Sequence, residues 1–396
     1  MAKQTDTCPG RFDFGLSSAE EERARRLHRD SIVFDMLSQH AGGSIFAHYQ
    51  QELQVEFRNR MKSVASADML MEAIYWPFEV AHQGKSNLLH NWFSESGLTC
   101  GTYDIDIVMR VTCDPLSSDW DLRINRYTQM PWLRFVTSAQ EIRQAKQDGV
   151  IALYANYQPV IPVARNLSSF DMAYRKGLRS YMLTYNRMDH VGVGCTERVD
   201  AGLSMFGIEV VKHCNELGIV VDVSHCGHLT TLDACRHSSD PVTANHTAAR
   251  SIFDHPRGKT DEELRAIADT GGVIGVVALP YFLSAEPAPT VECMLDHVEY
   301  IANLVGWEHV GIGTDWPLQA PDDVLLATLG SAHYTQQVGW TARYRRDVTA
   351  RLVGFNDCRD LPNITRGLVK RNWSDEQIRG VLGANALRVF EQVCGA

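Results

Sequence analysis

The sequence predicts an α/β fold of the (β/α)8 barrel type, on three observations. Short β-branched runs alternate with amphipathic helical stretches along the chain. Eight such runs can be counted, the number that closes a barrel. Several of the runs end in side chains capable of chemistry, and barrel enzymes place their chemistry at strand C-termini.

The runs are, in order, SIVFDML (31–37), a weaker TYDIDIVM (102–109), GVIALYAN (149–156), SYMLTY (180–185), IVVDVSH (219–225), PVTANH (241–246), GVIGVVAL (272–279) and HVGIGTDW (309–316). The stretches between them carry helix punctuation. Met205, Ile208, Val211 and Leu217 lie near helical spacing, and Gly218 can provide the left-handed stop. Thr260 with Glu263, and Ser374 with Gln377, read as capping boxes at helix starts. Residues 1–396 read as a single barrel domain with insertions at about 40–100 and 317–372. Insertions of that kind commonly build a substrate mouth. Trp76, Trp92 and Trp132 read as core rather than mouth.

Composition narrows the function. Apolar residues make up 44% and charged residues 22% of the chain, ordinary for a soluble globular protein with a large core. A net charge of −10 argues against a nucleic-acid or anionic-membrane partner. The most apolar run, Gly271 to Leu283, is interrupted by Pro280 and falls short of the roughly 20 residues a spanning helix needs. The N-terminal stretch has no apolar core of the signal-peptide kind. The ten cysteines form no CxxC pair and read as reduced thiols, so the expected compartment is cytoplasmic.

The strand ends carry the candidate site. Asp35 lies near the end of the first run, Tyr154 and Asn156 near the third, and Tyr185 and Asn186 near the fourth. His225 closes the fifth run, His246 the sixth and Asp315 the eighth. Two imidazoles on neighbouring strand ends can share one metal ion, which would polarise a carbonyl or acidify a bound water. Either His alone could equally be structural. Asp222 reads as a strand anchor or turn cap, Asp35 as a cap or loop residue as readily as a catalytic one. His228, His237 and His255 read as solvated surface.

At these residues the sequence resembles the membrane-dipeptidase (renal dipeptidase, peptidase M19) family. The resemblance rests on LTYN (183–186), GLSMFGIEVVKHCNELGIVVDVSH (202–225), PVTANHTAARSIFDHPRGKTDEELRAIADTGGVIGV (241–276), VGIGTD (310–315) and GANALRVF (383–390). It implies an amidohydrolase-like TIM barrel that hydrolyses small amides, typically dipeptides, at a two-zinc centre. It implies that His225 and His246 bind one metal, that Asp315 serves the other metal and proton transfer, and that Arg257 holds the substrate carboxylate. Family members are often dimers or larger, so a homo-oligomer is expected.

Three expected ligands and one substrate-binding residue are missing. The first strand's His-x-Asp pair falls on Leu37 and Gln39, the bridging Glu on Tyr154, and a substrate-binding His on Tyr185. His40 could replace one ligand only by a register shift. The chain therefore reads as a divergent branch that keeps one zinc ion, or none, and acts on a small-molecule substrate. In that reading Asp315 is third ligand or general base, Tyr185 donates to the developing oxyanion, and Tyr154 and Asn156 line the substrate. The alternatives are a non-hydrolytic reaction in the same barrel, such as a lyase or ring-opening step, or a metal-free binding or partner subunit.

Overall fold

A computed structural model of the chain describes residues 11–38, 45–64, 69–104, 129–159, 165–315, 321–332, 339 and 347–396. At its centre is a parallel sheet. Its strands are β1 (Cys100–Asp104), β2 (Leu133–Phe135), β3 (Ile151–Tyr157), β4 (Leu178–Met182), β5 (Val220–Asp222), β6 (Val242–Ala249), β7 (Gly258–Lys259), β8 (Val273–Val276) and β9 (Val310–Ile312). The main path runs β1-β3-β4-β5-β6-β8-β9, with β2 paired to β3 and β7 to β6. Every ladder is parallel, as expected when each strand is followed by a crossover helix.

The first expected strand, 31–37, shrinks to two isolated bridges. Phe34 bridges Cys100 and Asp35 bridges Ile312, which sets this segment between the outer strands β1 and β9. The Asp35 amide donates to the Cys100 carbonyl and the Met36 amide to the Ile312 carbonyl, both at 2.9 Å. Side-chain bonds take over where the ladder stops. Ser38 and Thr102 exchange three hydrogen bonds of 2.9–3.1 Å. The other expected runs are present but shorter or shifted: the fifth ends at Asp222 rather than at His225, and the eighth at Ile312. The second begins two residues early, and its 105–109 portion lies outside the described residues. β2 and β7, of three and two residues, fall outside the eight expected runs.

Two buried aspartates act as clamps between neighbouring strands. Asp35 accepts from the amides of Leu37 (3.2 Å) and Thr314 (2.8 Å) and from the Thr314 hydroxyl (2.5 Å). Asp222 accepts from the amides of Ser224 (3.0 Å) and Asn245 (2.5 Å) and from the Thr243 hydroxyl (3.0 Å). The pattern is the same in both: the amide two residues on, plus an amide and a threonine hydroxyl from the adjacent strand. Desolvation pushes Asp35 up to about 7, against the pull of its Thr314 and Leu37 bonds, and raises Asp222 as well. Asp222 is thus the strand anchor that its position suggests.

Helix boundaries follow their punctuation. Thr260 with Glu263 and Ser374 with Gln377 form capping boxes, and Gly218 stops the helix Met205–Leu217 at φ +79°. The buried face of that helix is Gly207, Val210, Val211 and Cys214, whereas Met205 is exposed. Of the residues at helical spacing, Val211 is therefore in the core and Leu217 packs against it, and only Met205 points away. The first insertion supplies the helices Ile45–His48, Gln51–Ser63, Met69–His82 and Leu88–Ser96. They share an aromatic cluster in which Phe46 lies 4.2 Å from Phe57 and 5.6 Å from Trp76. Trp76 and Trp92 are buried and Trp132 packs half-buried against Phe93. Among the described residues no helix is long and apolar enough to cross a membrane, and eight cysteines are free thiols.

Candidate active site

The site begins with an irregularity in β6. Ala244 pairs with Ile274, but the next partners are Thr247 and Val276. Asn245 and His246 together oppose the single residue Gly275, a bulge that re-aims the side chains there. The bulged backbone crowds its neighbours. A Cβ on Gly275 would lie 2.1 Å from the Asn245 carbonyl oxygen, and one on Gly313 would lie 1.6 Å from it. Only glycine fits at these two positions of GVIGV and VGIGTD.

The bulge brings His246 against His225, which follows β5. Their Nε2 atoms are 2.9 Å apart, and both residues are buried. His225 Nδ1 faces the Asn186 amide oxygen at 2.7 Å, and His246 Nδ1 faces that of Asn245 at 2.5 Å. An amide oxygen can only accept, so each Nδ1 carries the proton and each Nε2 presents its lone pair. Burial, with Arg257 and Lys259 adding positive charge, holds the His246 pKa well below its ordinary value, so this ring is neutral. Two lone pairs aimed at each other across 2.9 Å repel unless a proton or cation lies between them. Two nitrogens bound at about 2.1 Å to one tetrahedral zinc would sit about 3.4 Å apart. An opening of about half an ångström would therefore admit the ion, and the pair fits one metal. The Tyr185 ring stacks on His225 at 4.1 Å, fixing the imidazole from one face.

Arg257 is buried, and its guanidinium clasps the two His-bearing segments. Nη1 donates to the Ser224 carbonyl and Nη2 to the His246 carbonyl, the latter at 2.9 Å. Its Nε–H is buried and has no hydrogen-bond partner among the described residues, and the group lies over the Phe282 ring at 5.4 Å. Lys259 donates to the Cys226 carbonyl and the Thr231 hydroxyl, each at 2.8 Å, and pairs with buried Glu263 at 3.2 Å. His255, expected on the surface, is instead buried. It accepts from the Arg257 amide at 3.2 Å, and desolvation together with Arg257 brings its pKa down to about 4. The flanking Pro and Asp made its loop look solvated, while the packing of Phe282 against the ring covers it.

The remaining expected residues are more dispersed. Asp315 follows β9 in the left-handed region at φ +45°, unusual for a non-glycine residue, and its amide donates to the Leu37 carbonyl at 2.8 Å. Among the described residues no three His, Cys, Asp or Glu side chains converge closely enough to hold a metal, so Asp315 does not join the two histidines in such a group. Leu37, at an expected ligand place, is buried and has no donor atom. Gln39 and His40 lie outside the described residues. The Tyr154 hydroxyl donates to the Met36 carbonyl at 2.9 Å, and its ring packs against Phe34 and Phe390. Asn156 is buried and receives the Asn245 amide at 3.5 Å.

The residue that sequence reasoning missed is Asn245. It contacts His246, Ser224, Asp222 and Asn156, yet within TANH it looks like one more alternating strand position. The one sequence signal is a pair of glycines, Gly275 and Gly313, recurring in the next two strands.

Comparison with known proteins places this geometry in a family. The chain is 28% identical over 272 residues to Dipeptidase verJ of Clonostachys rogersoniana, a match covering 68% of the chain and 62% of that relative's length. The chain thus spans under two thirds of that protein. An amidohydrolase structure from Pseudomonas aeruginosa superposes with a TM-score of 0.69 at 26% identity, covering 94% of this chain and 99% of that one. A metallo peptidase from Rhodobacter sphaeroides, liganded with a phosphinate mimic of the dipeptide L-Ala-D-Ala, shares the fold at a TM-score of 0.63 and 18% identity, over 92% of this chain and 100% of that one. The family model for membrane dipeptidase (peptidase family M19) matches residues 120–324 and 331–395. With most of its length matched, including both histidine-bearing strands, the chain belongs to the membrane dipeptidase family, peptidase family M19.

Proposed function

We propose that this chain is a metal-dependent hydrolase of a small amide, either a dipeptide or a modified amino acid, acting with one zinc ion on a closed (β/α)8 barrel. The observation that carries the reading is the meeting of the His225 and His246 Nε2 lone pairs, each ring oriented by an amide oxygen. That arrangement of outer partners is the one metal-binding histidines use. The relatives support the substrate class, one being a dipeptidase and another having been captured with a dipeptide mimic. The bridges from Phe34 and Asp35 to β1 and β9 support barrel closure.

His225 and His246 would hold the ion, which when bound polarises a carbonyl and acidifies water. Asp315, which the structure leaves outside the histidine pair, would take the proton, and would be a third ligand only if its side chain moved toward them. Tyr185 keeps His225 in its plane and would donate to the developing oxyanion, and the Arg257 Nε–H, without a partner among the described residues, is the donor left for a substrate carboxylate. Among the described residues two of the places a second ion would use lack a free ligand: Leu37 has no donor, and the Tyr154 hydroxyl is directed to a backbone carbonyl.

Elemental analysis of protein purified without added metal tests the reading. About one equivalent per chain, lost in His225→Ala, together with turnover of dipeptides or N-acyl amino acids, supports it. Two equivalents would return the second ion to the site. No metal even after zinc soaking would replace hydrolysis with a metal-free binding or partner role.

A further inference from the structure

At the opposite end of the sheet from the histidines lies a cleft of about 740 Å³. Its walls come from segments that lead into strands rather than leave them. They are the helix Ser18–Asp30, residues 94–97 ahead of β1, and the helix Ala139–Asp148 ahead of β3, with Arg11 and the helix Leu361–Lys370, which leads into no strand, completing the rim. His225 and His246 sit at the far, C-terminal strand ends, so the cleft is separate from the candidate active site.

The charge of the cleft is the reverse of the whole molecule's. On a chain of net charge −10, it is lined by Arg11, Arg25, Arg29, Lys146 and Arg366. Among the described residues two carboxylates, Glu21 and Glu95, line it, and Glu21 is already held by Arg366 through bonds of 2.6 and 2.9 Å. Arg25 pairs with Glu22 and Arg29 with Asp30 on the exposed helix surface, contacts weak enough to be exchanged for a ligand. Arg11 and Lys146 form no ion pair among the described residues. Lys146 is half-buried, with Asp30 the acid whose charge it senses, and burial lowers its pKa. An ammonium group kept from full hydration gains more from an anion than one in open water does. His28, at the cleft wall, is buried, and among the described residues no Phe, Tyr or Trp lines the space.

We propose that this cleft is a binding site for a compact polyanion, a small molecule bearing adjacent phosphate groups. Its volume lies in the range of small-molecule sites, about 300–1,000 Å³. Recognition is by cations from two different helices, Lys146 and Arg29, both of which act on Asp30 in the structure and would exchange that carboxylate for the ligand.

Calorimetric titration of the full chain with inorganic pyrophosphate at low ionic strength tests the site. Wild type should bind with an affinity that weakens as salt is raised. Lys146→Glu and Arg29→Glu should each weaken binding about tenfold or more, as expected for the loss of a charge-assisted contact. Lys146→Gln, a milder change, should weaken it in the same direction. Lys62→Glu, on the helix Gln51–Ser63, makes the same change in net charge away from the cleft and should leave binding intact. Equal weakening in Lys62→Glu would show a response to net charge only and overturn the site. Unchanged binding in the Lys146 and Arg29 variants would also overturn it. So would loss of binding in His225→Ala, which would place the pyrophosphate at the metal seat.

Discussion

Replacing Asn245 with alanine should destabilise the protein by about 3 kcal/mol. The amide oxygen accepts from His246 Nδ1 at 2.5 Å and from the Ser224 hydroxyl at 2.9 Å. Each neutral buried bond is worth about 1 kcal/mol, and a buried donor left without an acceptor costs about 1–3 kcal/mol. The Ser224 oxygen already accepts the His246 amide at 3.1 Å, so its proton also needs the Asn245 oxygen. The His246 ring is buried away from bulk solvent. Urea unfolding of wild type and Asn245→Ala measures the loss. The same variant should bind zinc about 10- to 100-fold more weakly, because the ring is no longer fixed with its Nε2 lone pair toward His225. A stability change under about 1 kcal/mol, with zinc affinity unaltered, would refute the role of this amide and the tautomers deduced from it.

Other expectations follow from single contacts. Gly313→Ala places a Cβ 1.6 Å from a backbone oxygen that cannot swing aside, so the variant should lose several kcal/mol or fail to accumulate as folded protein, read by soluble yield and thermal melting. Lys259→Met leaves Glu263 buried without its cation and should cost about 3–5 kcal/mol in urea unfolding. Burial brings the His28 pKa down to about 4, with its ring bonded to Thr365 and to the Ser96 carbonyl. Between pH 6.5 and 4 the unfolded chain takes up a proton that the native ring refuses. Stability should therefore fall by about 3 kcal/mol over that window, and His28→Gln should remove this part of the pH dependence.

The strands legible in the sequence are those buried on both faces. β3 and β8 lie in continuous apolar runs, and parallel strands covered by helices have no polar face to break the pattern. The two histidines were legible for the same reason, since each follows such a run. What the pattern hides is local backbone geometry. The bulge at Asn245 and His246 leaves no mark within its own strand, yet it decides which way both side chains point. The first strand looks as long as the others, but Asp35 and Ser38 replace its ladder with side-chain bonds. Arg257 was read as a substrate fork from resemblance, whereas sequence spacing carries no hint that its two terminal nitrogens reach the carbonyls of Ser224 and His246.

The paired clamps at Asp35 and Asp222 bear on how the molecule breathes. Strand ends ordinarily fray first, and their amides exchange with solvent long before those of the strand centres. Here the amides of Leu37, Thr314, Ser224 and Asn245 are each held by a carboxylate with no surface exposed to water. Deuterium should enter these four positions as slowly as it enters the middle of β3, so that opening at the histidine-bearing end must begin in the loops beyond them.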